Sequence, residues 1–469
     1  MFWFLFQEIG FYVFVLLTLF FVIRKKYVNL LVLHFWALAF ATCFKFAITI
    51  WTPDKIVDMG IIFCIVIQGN KRKSRAIKYL RTLLFVLIGL LAIGNINALV
   101  SVPKYDLALN PKVRLILQDF AYIVAIALLF FGRILPSGFV KEFYKKYCTA
   151  IEIGAIIPGL IHFVCNRIGI PFMPIMRTGG AYDLASTVRA QFGNSIVTRV
   201  YGFAGEPKGL AFLLVPYLAI VLVCLLRGGS HRKNWVTLLF VVLGLFVLFQ
   251  TYSSSALITF ILLLPFILFY CSNRRSTFAV GALLVSVFIM SGVLIRDVVT
   301  GQYRVTEFVE NVYGRTFDRG MSEMEEGRQE AVIMEAYRES GPKVWLLGWG
   351  LAQYSFNVPN MVNEDNQLIP VQSGMIITLS DFGVLGIIVL FYVAVLILGL
   401  LKKSRVLKNP LPLAMAMAAL AKFIESLSHG SLITSLLFLM IATYSYFDCL
   451  PPKTPATKAI ETIRKYRKQ

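Results

Sequence analysis

Two stretches, Gly209 to Leu226 and Gly383 to Leu401, run without a charged side chain over about 18 or more positions, enough for a helix to cross about 30 Å of hydrocarbon. Runs of this kind recur along the chain. Its 58% hydrophobic and 15% charged residues differ from the roughly 45–50% and 25% of soluble domains. The sequence therefore reads as an all-α, polytopic transmembrane bundle.

At about 20 residues per span the chain holds about thirteen helices. They are expected at 2–23, 28–50, 56–69, 79–101, 113–132, 147–169, 205–226, 235–250, 255–271, 277–295, 373–401, 411–427 and 431–447. The first lacks a basic start and a small-residue cleavage site and is followed by Arg24, Lys25 and Lys26, so it reads as a retained helix and not as a signal peptide. Alternate connections are basic: 71–78, Lys141 with Lys145 and Lys146, Arg232 with Lys233, Arg274 with Arg275, Lys402 with Lys403, and the tail at 448–469. The positive-inside rule makes these cytoplasmic, which puts the N-terminus outside and the C-terminus inside. The +21 net charge is then topology signal beside anionic lipid, and no nucleic-acid partner is needed. One transmembrane domain thus covers 1–469, with large outer loops at 170–204 and 296–372. In the second, Ser322 and Glu325 form a capping-box pattern, 326–340 is helix-friendly, and Gly341-Pro342 stops it.

The seven cysteines lie in or at the ends of expected spans, the four histidines are scattered, and no CxxC, HExxH or Walker-type pattern is present. No metal or cofactor is expected. The segment Arg199 to Gly209 places Arg199, Glu206 and Lys208 at the outer rim, with Pro207 suited to the first turn of a helix whose positive end faces an anion. It admits two readings: a site for an anionic head group, or an interfacial anchor with a Glu206–Lys208 pair. In the second loop Arg304, Arg315, Arg319, Arg328 and Arg338 are interspersed with acids. A guanidinium there suits a diphosphate, and equally suits a solvated helix held by Glu325 and Glu335. Lys422 and Glu425, three apart on one span, read as a pair. Asp119, Glu152, His162 and Asp381 read either as cavity-lining groups or as hydrogen-bonded packing residues.

Gly327-Arg-Gln-Glu-Ala331, then Leu346-Leu-Gly-Trp-Gly-Leu351, then Leu379-Ser-Asp-Phe-Gly-Val-Leu-Gly386 resemble the outer-loop signature of the O-antigen polymerase and ligase family. The Arg199 to Gly209 stretch is similar to that family's arginine and Glu-Pro motif. Together they cover roughly Arg199 to Leu401; the N-terminal spans match only in hydropathy. The resemblance implies a C-type glycosyltransferase-like fold, a site on the outer face of a bacterial cytoplasmic membrane, and an undecaprenyl diphosphate-linked oligosaccharide as substrate. It implies that Arg199 and Arg328 hold the diphosphate and leaves room for a chain-length regulator protein as partner. Where ligases carry a catalytic His-Asn, this chain has Gln372-Ser373, which favours a polymerase. The family's Ser-Arg between the eighth and ninth spans is here Ser253-Ser-Ser255.

Displacing a lipid diphosphate from an anomeric carbon builds negative charge that fixed cations stabilise without a metal. Arg199 and Arg328 are the expected cations. Glu206 is the first candidate for the proton acceptor, with Glu364 or Asp365 second. Tyr201, Lys208, Arg315, Arg319, Arg338, Asp365 and Gln372 are the expected substrate contacts. The alternatives are a ligase and a polysaccharide flippase or transporter, although no internal repeat of the transporter kind is found. A nucleotide-sugar enzyme is disfavoured, because the inner loops are far shorter than the about 100 residues of a nucleotide-binding domain.

Overall fold

The computed structural model describes residues 2–40, 52–68, 75–105, 110–170, 172, 189–192, 195–204, 206–271, 329–359, 361, 371, 373–428 and 432–450. The helices are α1 (Phe2–Ile23), α2 (Tyr27–Phe40), α3 (Pro53–Gln68), α4 (Arg75–Val100), α5 (Pro111–Phe131), α6 (Phe139–Ile168), α7 (Pro207–Leu226), α8 (Asn234–Gln250), α9 (Ser254–Cys271), the short α10 (Gln329–Glu339), α11 (Pro342–Leu347) and α12 (Tyr354–Asn357), then α13 (Gly374–Ser404), α14 (Leu411–Ser428) and α15 (Leu432–Cys449). An antiparallel hairpin of β1 (Arg189–Phe192) and β2 (Ser195–Thr198) precedes α7. Among the described residues six helices, α4, α5, α6, α7, α13 and α14, are long and apolar enough to cross a membrane. The expected span at 277–295, residues 41–50 of the second span and most of both large loops lie outside the described residues.

Helix boundaries follow local chemistry. α5 starts two residues before the expected 113, because the Asn110 side chain accepts from the Lys112 N–H at 2.9 Å and Pro111 occupies the first turn. α6 begins eight residues before the expected 147. Its first turns are amphipathic, burying Phe139, Val140, Phe143 and Tyr144 while Lys141, Glu142 and Lys145 stay exposed, a pattern that mean hydropathy does not detect. The same helix widens into a π-turn at Glu152–Ile156, where the Ile157 N–H bonds Glu152 O. Pro158 follows directly and cannot donate to the carbonyl four residues back, so the local widening absorbs it. Pro342, expected only to stop a helix, also opens α11 as its first residue.

α7 and α14 form the centre: 78% and 83% of their apolar windows are buried, against 28% in α5 and 39% in α4 and α13. The outer helices turn apolar residues such as Phe391, Ile116 and Val66 outward. Contiguous apolar surface of this kind is uncommon on soluble monomers and suits hydrocarbon as solvent.

The contacts sort the helix ends into two groups. At the basic end Arg227 donates to the carbonyls of Tyr270, Arg405 and Leu407 at 3.1, 2.8 and 3.2 Å, and the Gly138 N–H donates to Asp448 at 3.0 Å. Glu152, fully buried, lies here 2.9 Å from both His231 and Arg232 and accepts from the Tyr217 hydroxyl at 3.2 Å. At the opposite, loop end the Ser373 hydroxyl donates to Leu427 O at 3.0 Å, and the segment of α11 and α12 folds in between α4 and α13.

Candidate functional site

At the loop end the segment leading into α7 is held from three sides. Val200 N–H donates to Gln250 O at 2.9 Å. The Arg199 guanidinium donates to the carbonyls of Thr251 and Tyr252 at 2.9 and 3.3 Å. These are terminal carbonyls of α8, where a cation is favoured by the helix dipole. Arg199 therefore sits on the turn that carries Ser253 to Ser255, and two of its nitrogens cap α8. Tyr201 N–H and Gly202 N–H both donate to His162 Nδ1 at 3.2 Å. The His162 ring stacks on Phe172 at 4.4 Å and meets the Tyr201 ring edge-on at 4.1 Å. Gly202 has φ 52° and comes so close to α6 that a Cβ would lie 3.3 Å from Gly159 N, which explains the glycine. Tyr201, expected to touch substrate, thus has its ring buried in an aromatic cluster.

Arg199→Lys keeps the charge but loses the forked geometry that serves two carbonyls. It is expected to cost about 1–2 kcal/mol of stability. Thermal unfolding of the detergent-purified protein checks this, and an unchanged midpoint would show that the cap contributes nothing.

Glu206 occupies the N-cap position of α7 with extended backbone, and Pro207 fills the first turn as expected. Lys208 Nζ lies 5.7 Å from the centroid of the Phe212 ring. The ammonium of Lys422, on α14, lies 4.3 Å from the same centroid and 3.5 Å from Phe212 O. The two cations are therefore no more than about 10 Å apart. Lys422 bonds Glu425 at 2.5 Å as expected. Glu425 is completely buried and its Oε1 has no hydrogen-bond partner among the described residues. What the sequence offers as an isolated pair is one part of a four-residue group across the two central helices.

The second loop is docked by glycines. Gly348, Gly350 and Gly383 have φ of 71°, 99° and 61°. A Cβ on each would lie 2.5 Å from Ser380 O, 2.4 Å from Ala98 N and 2.5 Å from Leu346 C respectively. Main chain therefore packs on main chain, which only glycine permits. The N–H of Trp349 donates to Ser380 O at 2.8 Å and that of Leu351 to Gly94 O at 3.1 Å. Ala352 N–H donates to Asp381 Oδ1 at 2.9 Å, and Asn97 Nδ2 to Gly348 O at 2.7 Å. Arg114, a residue without any sequence signal beyond its place at the start of α5, donates to the Tyr354 hydroxyl at 3.2 Å. Burial pushes the Tyr354 phenol up, and the Arg114 charge opposes that.

Asp119, Glu152, His162 and Asp381 are all hydrogen-bonded: Asp119 accepts from Asn95 Nδ2 at 2.6 Å, the partners of the other three are given above, and the buried Asp381 Oδ2 has none among the described residues. A largely apolar cavity of about 270 Å³ lies between α4, α5, α13, α14 and α15, with Gln118, Tyr122, Thr378 and Ser426 as its polar groups. Its wall residues Ser426 and Leu427 follow Glu425 directly, and Val371 and Gly374 place one side of it at the loop end.

Arg338 is exposed in the last turn of α10, again where the helix dipole favours a cation. Arg328, Arg315, Arg319, Glu364, Asp365 and Gln372 lie outside the described residues. Compared with protein-family models and with curated proteins, the chain finds no match.

Proposed function

We propose that the protein polymerises lipid-linked oligosaccharide repeat units, passing the growing glycan from undecaprenyl diphosphate to the sugar end of an incoming unit. The loop end is then the outer face of a bacterial cytoplasmic membrane, and the fold is a C-type glycosyltransferase-like bundle of about thirteen spans. One observation carries the reading: two lysines and a carboxylate meet around Phe212 between the two innermost helices, and α14, which carries Lys422 and Glu425, also supplies Ser426 and Leu427 to the wall of an apolar cavity. An amphipathic ligand with an anionic head and a hydrocarbon tail matches both parts. Lys208 and Lys422 would stabilise charge on the departing diphosphate together with Arg328, and Glu206 would accept the proton of the attacking hydroxyl.

Purified protein given lipid-diphosphate oligosaccharide is expected to extend it in detergent. Glu206→Gln and Lys208→Met should each lower the rate at least 100-fold in protein that still inserts, and normal chain lengths in either would remove that residue from the mechanism. A transporter would extend nothing without compartments. Deleting the gene separates polymerase from ligase: single repeats at the cell surface indicate the first, and no repeats the second.

A further inference from the structure

A second cleft, of about 720 Å³, opens at the loop end between residues 101–105 and the pair α10 and α11. It is within the roughly 300–1,000 Å³ range of small-ligand pockets. Both walls are fixed. Phe356 O accepts from Lys104 N–H and Tyr105 N–H at 2.9 and 3.0 Å. The Tyr337 hydroxyl donates to Trp345 O at 2.6 Å, and Trp345 Nε1 donates back to Tyr337 O at 2.8 Å, which clamps α10 to α11.

The lining has unspent hydrogen-bonding capacity. Asn97 and Asn357 commit their amide nitrogens to Gly348 O and Gln353 O, and neither side-chain oxygen accepts a bond from the described residues. Lys104, Lys343, Glu335 and Glu339 stand around the rim, and among the described residues none of the four is in an ion pair. Two cations against two carboxylates suit neither a diphosphate nor a polyanion, and so polar a lining does not suit a hydrocarbon tail. A polyol suits it, because each hydroxyl both donates and accepts and the rim presents both kinds of group. The Tyr105 ring, 42% exposed at the edge, offers a flat apolar face for a sugar ring.

We propose that this cleft binds a segment of neutral glycan, apart from the charged group at α7 and α14. The inference rests on the proposed function only for where that glycan comes from. The probe is the set of lipid-free oligosaccharides released by mild acid from the surface polysaccharide of the organism that carries the gene, observed by saturation-transfer NMR on the full chain in detergent. Binding is expected. It should weaken at least tenfold in Glu335→Gln combined with Asn357→Ala, and also in the exposed single change Glu335→Lys, while Lys208→Met leaves it unchanged. In the extension assay Glu335→Lys should raise KM for the oligosaccharide at least tenfold with kcat within twofold. No binding by the wild-type protein, or wild-type binding by Glu335→Lys, overturns the inference. If the glycan binds and the cleft variants weaken it but nothing is extended, the proposed function fails and the cleft stands. If extension proceeds and the cleft variants alter neither binding nor KM, the cleft fails alone.

Discussion

Gly350→Ala should yield protein whose second loop no longer docks, with stability lowered by several kcal/mol. Two costs add. The residue has φ 99°, a conformation that strains any L side chain by about 1–3 kcal/mol. Its new methyl would also lie 2.4 Å from Ala98 N and 2.7 Å from Ala98 Cα, main-chain atoms of α4 that have no rotamer to swing into, and overpacking of that kind costs about 1–3 kcal/mol more. Gly89→Ala is the matched control. Gly89 lies within α4 itself, with nothing within 4 Å of the position of a Cβ, and there alanine should stabilise by about 0.5–1 kcal/mol. Unfolding midpoints of the two variants in one detergent test the pair, and similar midpoints would mean that the glycine contact is not formed.

The second large effect concerns Lys422 and Glu425. Either Lys422→Met or Glu425→Leu alone leaves a buried charge without its partner and should cost about 3–5 kcal/mol. The double change removes both charges, fills similar volume and should return stability close to that of the parent. Under the proposed function the double variant is nevertheless inactive, because Lys422, the nearer of the two cations beside Phe212, is gone. A stable double variant that still extends glycan would reduce the pair to packing and take it out of the site.

How far the sequence reaches depends on how local each signal is. The six long apolar helices are readable because an apolar run is its own evidence of a helix in hydrocarbon. The first turns of α6 escape that test, since Lys141, Glu142 and Lys145 on the exposed face lower the mean hydropathy of a stretch whose other face is buried at Phe143 and Tyr147. Lys422 and Glu425 can be paired from their i, i+3 spacing. The contact of Lys422 with Phe212 is not readable, because the partner lies 210 positions away. Arg199 is similar. Its sequence neighbours suggest an anion site, whereas the carbonyls it caps belong to residues 52 and 53 positions on. The glycines of the 346–351 and 379–386 motifs stand out by pattern, but their reason is a mutual approach of backbones that appears only when α4, α11 and α13 are side by side.

That approach also sets an order of assembly. The acceptors that seat Trp349 and Ala352 are Ser380 O and the Asp381 carboxylate, and the ribosome makes both after the residues they receive. Until the helix beginning at Gly374 has been made, a nascent chain therefore carries residues 342–358 without the acceptors for Trp349 and Ala352. Docking of this stretch waits on that step, and a chain cut short before Gly374 would leave the acceptors for Trp349 and Ala352 permanently missing.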